Sequence, residues 1–340
     1  MHKDNPLQRL LNKVIDSSPN PLFVIMDEKV SSLYGINDFN KNNAIHTYIF
    51  QSEEQFKTLE RVSEISALLL REGFSKSDML VNIGGGIVCD VGGFVAATYK
   101  RGMPLINIPT TLLAMIDAAH GGKNGVNLNG IKNSIGTIYP PREVLIDTDF
   151  LHTLPHEELL NGFGEMIKYA LIADHEMWSA IRKINELNNN TIAKTWIDRC
   201  IAIKNDWVSQ DLHDQSIRRN LNFGHTIGHA LESYFFTQHK TIKHGHAVAL
   251  GICFESYISY CKGFLTIGEV NDIKETISRF FTIPEIPESA FPTILHLLKQ
   301  DKKNKGQIIY MTLLSQIGVA IPNQEVSETE ILNAAINLFA

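Results

Sequence analysis

Short apolar runs alternate with helical patterns through the first 150 residues, and this alternation constrains the fold more than any other feature. The runs PLFVIMD (21–27), DMLVNIGGG (78–86), PLINIPTT (104–111) and EVLIDTD (143–149) have the length of buried strands. Between the first two runs, residues 53–72 have apolar side chains near helical spacing. Strands that alternate with helices predict a parallel sheet whose ligands bind at the carboxyl ends of the strands.

Beyond residue 150 the apolar spacing is helical almost throughout. We predict helices in PHEELLNGFGEMIKYALIA, in residues 191–210, in HTIGHALESYFF and in HAVALGICFESYISY. With 340 residues, the chain is long enough for two domains. The prediction is an α/β N-terminal domain with a parallel sheet (1–150), followed by a mostly α-helical C-terminal domain (151–340). A cleft between two such domains is where we expect the site.

Composition and charge exclude several classes of protein. Hydrophobic residues make up 44% of the chain and the formal net charge is −6, which argues against a broad nucleic-acid-binding surface. The four cysteines form no CxxC pair, so we expect neither a disulfide framework nor a thiolate metal site. No leader with an apolar core and no spanning segment is evident. We therefore expect a cytoplasmic protein without membrane or nucleic-acid partners.

A glycine triplet follows the second predicted strand and indicates a nucleotide site. Backbone amides of Gly84, Gly85 and Gly86 could approach a phosphate closely, although such a triplet also fits an ordinary turn. Asp90 follows four residues later, and Thr110-Thr111 ends the next strand. The pattern is not GxGxxG, so a standard Rossmann fingerprint is absent.

Charged and imidazole side chains recur at helical spacing in the second part. Glu165 and Lys168 stand at i, i+3, and His225 and His229 at i, i+4, so each pair shares a helix face. One carboxylate and two imidazoles form a common open site for a catalytic divalent ion such as Zn²⁺. Histidines on such helices also serve in packing or at the surface. Spacing alone leaves open whether the third ligand is His244 or His246.

Basic residues accompany these motifs, which indicates a substrate with several negative charges. Isolated lysines are more often solvated surface groups, but Lys123 and Lys132 are flanked by glycines that allow tight turns into a pocket. A phosphate together with a carboxylate would match such a set. Its members are Arg101, Lys123, Lys132, Lys168, Lys204, Arg218 and the pair Lys302-Lys303.

The order of motifs resembles the 3-dehydroquinate synthase family of sugar phosphate cyclases. The motifs are GGG-x3-D, TYKRG, PTTLLAMID, GGK-x8-KN, GxxEMIKYA, RxxLNFGHTxGHALE and HGxAVALG, and the resemblance spans about residues 50 to 318. It implies a dehydroquinate synthase-like fold and the metal ligands Glu165, His225 and His244, for Zn²⁺ or Co²⁺.

The resemblance also implies roles for the remaining positions. It assigns NAD to Asp27, Glu54, Lys57, Gly85, Gly86, Asp90, Thr110 and Thr111, with Lys123 and Lys132 between the nucleotide and the substrate. It assigns the phosphorylated sugar acid to Asp117, Lys123, Lys132, Asn133, Lys168, Lys204, Arg218, Asn222 and His229. It further implies that one of Lys302 and Lys303 contacts substrate and that Arg101 reaches the phosphate bound by a neighbouring subunit of a homodimer.

The implied activity is that of a phosphate-eliminating carbon–oxygen lyase of aromatic amino acid biosynthesis (the shikimate pathway). It converts 3-deoxy-D-arabino-heptulosonate 7-phosphate to 3-dehydroquinate by transient oxidation with NAD, phosphate elimination, re-reduction and aldol closure. Lys29, His120, Asn124 and His246 depart from the family's usual residues. Rival interpretations are a cyclase for a sugar phosphate without a carboxylate, a metal-dependent alcohol or glycerol dehydrogenase, and a catalytically silent relative.

Overall fold

The computed structural model describes residues 5–35, 45–129, 131–299 and 308–339. The chain divides into two compact units, Met1–Pro155 and His156–Ala340. The division falls after residue 155 because a 3-10 helix, Thr148–Thr153, packs with the first unit. There the Tyr34 hydroxyl lies 2.6 Å from the Thr153 hydroxyl, and its ring packs edge-on against Phe150.

The first unit is built around a five-stranded sheet. Its elements are α1 (Pro6–Ser17), β1 (Leu22–Asp27), α2 (Glu28–Tyr34), β2 (Ile45–Phe50), α3 (Leu59–Arg71), β3 (Met79–Gly84), α4 (Gly86–Thr98), β4 (Leu105–Pro109), β5 (Lys123–Leu128), β6 (Ile131–Ile138) and β7 (Glu143–Val144). The sheet has the order β2-β1-β3-β4-β7, and all its strand pairs are parallel. Strands β1, β3 and β4 are buried along their whole length, as is typical of parallel strands covered on both faces.

Local side-chain contacts explain where two of the predicted elements were drawn too long. The helix expected over 53–72 begins at Leu59, because the Thr58 hydroxyl caps it by accepting from the amide of Arg61. The strand expected over 143–149 ends at Val144. The Asp147 carboxylate accepts a hydrogen bond from the amide of Asp149 and starts the 3-10 helix there instead.

The second unit is mostly helical. It contains α5 (His156–Ala173), α6 (His175–Ile181), α7 (Lys194–Gln210), α8 (His225–Thr237), α9 (His244–Cys261), α10 (Ile267–Phe280), α11 (Phe291–Lys299), β8 (Ile309–Gln316), β9 (Val319–Val326) and α12 (Glu328–Phe339). Helix α9 is central and packs against α5, α8, α10 and α12. Its middle is apolar on every face, as a helix enclosed by others requires.

Two antiparallel hairpins, β5–β6 in the first unit and β8–β9 in the second, were not predicted from the sequence. The edge strand β2 was not predicted either, because its burial does not alternate along the strand. In the part of the chain that the structure describes, no helix combines the length and apolar character needed to cross a membrane.

Candidate metal centre and anion site

Glu165, His225 and His244 come together inside the second unit. The Oε1 atom of Glu165 lies 3.2 Å from Nε2 of His225 and 3.1 Å from Nε2 of His244. All three potential ligand atoms lie within 4.8 Å of one another, and Glu165 is fully buried. The sequence left His244 and His246 as alternatives, and the geometry brings His244 to Glu165. His246 instead contacts the carbonyl oxygen of Thr282.

Close helix crossings bring these three side chains together. Where α5 crosses α9, a Cβ on Gly164 or Gly245 would overlap a backbone carbonyl of the opposite helix. The Asn161 amide oxygen also accepts a hydrogen bond of 2.7 Å from the amide of Gly245. Where α8 begins beside α9, Gly224 has φ +77° and its carbonyl oxygen leaves no room for a Cβ on Gly251. Glycine at these positions therefore permits the approach of the helices.

The second ring nitrogen of each ligand histidine is held by the surrounding chain. Nδ1 of His225 lies 3.1 Å from the Phe223 carbonyl oxygen, and Nδ1 of His244 lies 3.4 Å from Oε2 of Glu232. Donation from Nδ1 leaves the lone pair of Nε2 directed at the Glu165 side, which is the usual arrangement around a metal ion. Sequence reasoning missed Glu232, although it follows His225 by seven residues and so shares that face of α8.

His229, Glu232 and His244 also have ligand atoms within 4.8 Å of one another. This second group shares His244 with the first. Because Nε2 of His244 faces Glu165 and Nδ1 faces Glu232, a neutral His244 has one lone pair to offer, and that lone pair serves the first group. Glu232 therefore holds the ring of His244 in place, and His229 lies beside the cluster.

Burial and charge set the protonation of the cluster. Burial lowers the pKa of His225, against the opposing charge of Glu165. Burial also opposes the protonation of His244, but its hydrogen bonds to Glu165 and Glu232 outweigh this and raise its pKa to about 10. Burial alone would raise the pKa of Glu165, but the charges of Lys168 and His225 and the hydrogen bonds of both histidines together hold it well below its usual range. A divalent ion would displace the proton of His244, as metal ions do at imidazole ligands. The donor set fits Zn²⁺ or Co²⁺.

Three of the predicted substrate cations are buried on neighbouring elements of the same unit. Lys168 on α5 pairs with Glu165 and stacks over the ring of Tyr169 at 4.4 Å. Lys204 lies on α7, and Arg218 lies on the 3-10 helix Ile217–Asn222. The three elements contact one another. Three cations on contacting elements form a positively charged region that favours an anionic ligand.

In the first unit, the predicted nucleotide residues gather at the carboxyl edge of the sheet. The amide of Thr110 donates to the carbonyl oxygen of Gly84 at 3.0 Å, and a Cβ on Gly85 would meet the Thr111 side chain at 3.2 Å. Helix α4 begins at Gly86, so its free amides lie at this edge. The Asp27 carboxylate caps α2, accepting from the amides of residues 29 and 30.

Lys57 connects several of the other predicted residues. Its ammonium group pairs with the Asp90 carboxylate and donates to Oδ1 of Asn133 at 2.5 Å. Burial raises the pKa of Asp90, and the charge of Lys57 opposes that shift. The charge of Asp117, which lies on the π-helix Ala114–Ala118, adds to the rise. Glu54 accepts a hydrogen bond from the Asn127 side chain at 2.8 Å.

The glycine-flanked lysines lie on the hairpin β5–β6 rather than both on turns. Lys123 pairs with Ile138, whereas Lys132 lies next to the turn, where Leu128 pairs with Ile131. The distance between the two lysines along β6 is about 20 Å at the usual rise of a strand. Lys132 precedes Asn133, whose side chain accepts from Lys57.

The structure gives fewer contacts for the other predicted substrate residues. Arg101 is exposed, with φ +67°, and Lys302 and Lys303 lie outside the described residues. Asn222 is half-buried at the end of its 3-10 helix.

Among the departures from the family, the ring of His120 contacts the Met115 carbonyl oxygen. The side chain of Asn124 donates to the carbonyl oxygens of residues 122 and 139. The backbone amide of Lys29 bonds to Asp27.

Comparisons with known proteins agree over most of the chain. The family model for the N-terminal part of 3-dehydroquinate synthase matches residues 46–161, and the model for its C-terminal part matches residues 162–304. The 3-dehydroquinate synthase of Parabacteroides distasonis is 38% identical over 92% of this chain and 90% of its own length. That of Streptococcus pyogenes serotype M3 is 37% identical over 93% of this chain and 89% of its own length.

Solved structures of two related enzymes have the same fold. A 2-deoxy-scyllo-inosose synthase with carbaglucose-6-phosphate, NAD⁺ and Co²⁺ has a TM-score of 0.82 at 28% identity, covering 95% of this chain and 93% of its own. The 2-epi-5-epi-valiolone synthase of Streptomyces hygroscopicus with NAD⁺ and Zn²⁺ has a TM-score of 0.85 at 27% identity, covering 97% and 94%. With both family models and these relatives in agreement, the chain belongs to the 3-dehydroquinate synthase family.

Proposed function

We propose that this chain is a 3-dehydroquinate synthase, a phosphate-eliminating lyase that uses NAD and a divalent metal ion. Its substrate would be 3-deoxy-D-arabino-heptulosonate 7-phosphate, and its products 3-dehydroquinate and phosphate. The observation that carries the proposal is the group of buried Glu165 with half-buried His225 and His244, directly beside the Lys168 ammonium. Relatives at 37–38% identity over more than nine-tenths of the chain have this name.

The two bound groups would supply distinct chemistry. Glu165, His225 and His244 would hold the ion, which when bound acts as a Lewis acid toward hydroxyl and carbonyl oxygens of the substrate. NAD, which accepts and returns a hydride, would bind at the carboxyl edge of the first unit's sheet. The residues there are Asp27, Glu54, Lys57, Gly85, Gly86, Asp90, Thr110 and Thr111, with Lys123 and Lys132 on the neighbouring hairpin.

The chain's own cations would bind and orient the substrate. Lys168 lies against Glu165, so its ammonium group would stabilise negative charge that develops on a substrate oxygen near the metal. Lys204 and Arg218, both buried, would hold the substrate's carboxylate and phosphate more strongly than exposed cations could. Hydroxyl groups would bind to Asp117, Asn133, Asn222 and His229.

Proton transfer would use groups at the edge of the metal cluster. The ring of His229 lies with its centroid 5.4 Å from that of His225 and 6.0 Å from that of His244. From this position beside the cluster, a ring nitrogen of His229 would pass a proton to or from a substrate hydroxyl. The phosphate of the substrate would take up the proton removed during its own elimination, so no further carboxylate base is required.

Arg101 would act across a homodimer. Lys100 and Arg101 both have a left-handed backbone, with φ of +47° and +67°, a conformation that costs energy in residues other than glycine. Arg101 is exposed in this turn, and we propose that its side chain reaches the phosphate bound by a second subunit. We further propose that the enzyme works in the cytoplasm on a small-molecule substrate, without nucleic-acid or membrane partners.

Phosphate release from the heptulosonate phosphate, measured with and without a chelator, tests the proposed function. We expect release that depends on NAD, stops with the chelator and returns with Zn²⁺ or Co²⁺, without net formation of NADH. Net NADH formation from a simple alcohol would instead favour a dehydrogenase. Turnover of a sugar phosphate without a carboxylate, with none of the heptulosonate phosphate, would favour a different cyclase.

A further inference from the structure

A buried carboxylate that no sequence motif singled out lies between the predicted substrate cations of the second unit. Asp211 follows the last residue of α7, and only 8% of its surface is exposed. Its Oδ1 accepts from the amide of Gln215 at 2.9 Å, and its Oδ2 accepts from the amides of Ser216 at 2.6 Å and Arg218 at 3.2 Å. The Asp211 side chain therefore holds the backbone of the connection from α7 to the 3-10 helix.

This connection sets where two of the cations lie. Lys204 and Asp211 are seven residues apart, so they lie on the same side of α7, two turns from each other. On the far side of the connection, the Arg218 backbone bonds to Asp211, and its Nη1 donates to the Leu212 carbonyl oxygen at 2.6 Å. The loop that Asp211 organises thus holds both the backbone and the guanidinium group of Arg218.

The carboxylate form is needed for this arrangement. Burial alone would raise the pKa of Asp211, but the backbone amides and the Ser216 hydroxyl together outweigh it and lower the pKa to about 2. The three backbone amides are divided between both oxygens. An asparagine would have to turn its NH₂ group toward at least one of them, which loses a hydrogen bond and brings two donors together.

We propose that Asp211 is a positioning residue that fixes the spacing of Lys204, Arg218 and Asn222 so that together they bind the anionic substrate. The proposal rests on the function proposed above, since it takes these three residues as substrate contacts. Asp211 itself touches no substrate. Its effect should therefore appear in substrate affinity, while the metal ligands, on α5, α8 and α9, and the NAD residues, in the first unit, should keep their affinities.

The test compares Asp211→Asn with the wild-type enzyme and with Asp206→Asn as a control. Asp206 is an exposed carboxylate on the same helix, and its side chain accepts only from Gln210 in the contacts described. For Asp211→Asn we expect KM for the heptulosonate phosphate to rise about tenfold or more, as the loss of a buried hydrogen bond implies. Metal content and the Kd of NAD should remain at wild-type values, and Asp206→Asn should match the wild type throughout.

Unchanged KM in a folded Asp211→Asn enzyme, or an equal loss of NAD and metal binding, would overturn the proposal. If Asp211→Asn does not fold, Asp211→Glu, which keeps the charge, takes its place, and failure of both to fold would assign a purely structural role. Calorimetric binding of inorganic phosphate separates this proposal from the function itself. A wild-type chain inactive on the heptulosonate phosphate would refute the function, whereas weaker phosphate binding by the variant would still support the positioning role.

Discussion

The substitution Gly245→Ala should separate the metal ligands without removing any of them. A Cβ on Gly245 would lie 1.8 Å from the carbonyl oxygen of Asn161 on α5, and ordinary contact begins at 3.4 Å. Because the obstacle is backbone and not a flexible side chain, α5 and α9 must move apart by about 1.6 Å at this point, the difference between these two distances. Glu165 and His244 lie on either side of the crossing. Metal–ligand distances tolerate about 0.2 Å, so we expect the variant to lose at least tenfold in metal affinity.

Chelator competition with Zn²⁺ measures this affinity, and circular dichroism shows whether the variant is folded. The matched control is Gly268→Ala in α10, where the nearest atom to a new Cβ is 3.9 Å away. The control should bind the ion like the wild type and should be slightly more stable, since alanine favours helix more than glycine does. A folded Gly245→Ala chain with wild-type metal affinity would refute the claim that this crossing sets the ligand geometry.

Two further substitutions test other parts of the site. Glu232→Gln should weaken metal binding about 10–100-fold without unfolding the chain, because Glu232 holds the ring of His244. Chelator competition would show this, and an unchanged affinity would remove Glu232 from the site. Lys132→Ala should raise the Kd of NAD more than Lys123→Ala does, because Lys132 is next to Asn133, which accepts from Lys57, whereas Lys123 is at the other end of the hairpin. Equal effects of the two substitutions in NAD titrations would contradict the claim that the two lysines, at opposite ends of the hairpin, have different roles.

The elements that were predicted from the sequence are those whose apolar pattern can be recognised within a single stretch of the chain. Strands β1, β3 and β4 are continuous apolar runs that end in glycine, aspartate or threonine, and α5, α8 and α9 repeat apolar residues at helical spacing. Strands β5, β6 and β9 were missed because they are partly exposed and show no continuous apolar run. Glycine near Lys123 and Lys132 therefore suggested turns. Strand β8 was missed although it is mostly buried and largely apolar.

The site was predictable where a side chain carries its own chemistry, as in Glu165, His225 and His244. Glu232 and Asp211 were missed because they act through another residue. Their importance depends on which ring nitrogen or backbone amide lies opposite, and that is decided by tertiary contacts. Likewise, the spacing could not distinguish His244 from His246. The two side chains point in different directions from the start of α9, and only the tertiary structure shows that His244 is the one that faces Glu165.

Metal content per chain tests the central claim most directly. We predict that the purified enzyme and His246→Ala, whose side chain bonds to a backbone carbonyl away from the cluster, each bind one divalent ion per chain. We predict that His225→Ala, folded by circular dichroism, retains none after dialysis against a chelator that leaves the wild type loaded. A His225→Ala chain that still holds one ion would contradict the account, because Glu165, His225 and His244 would then not form the metal site.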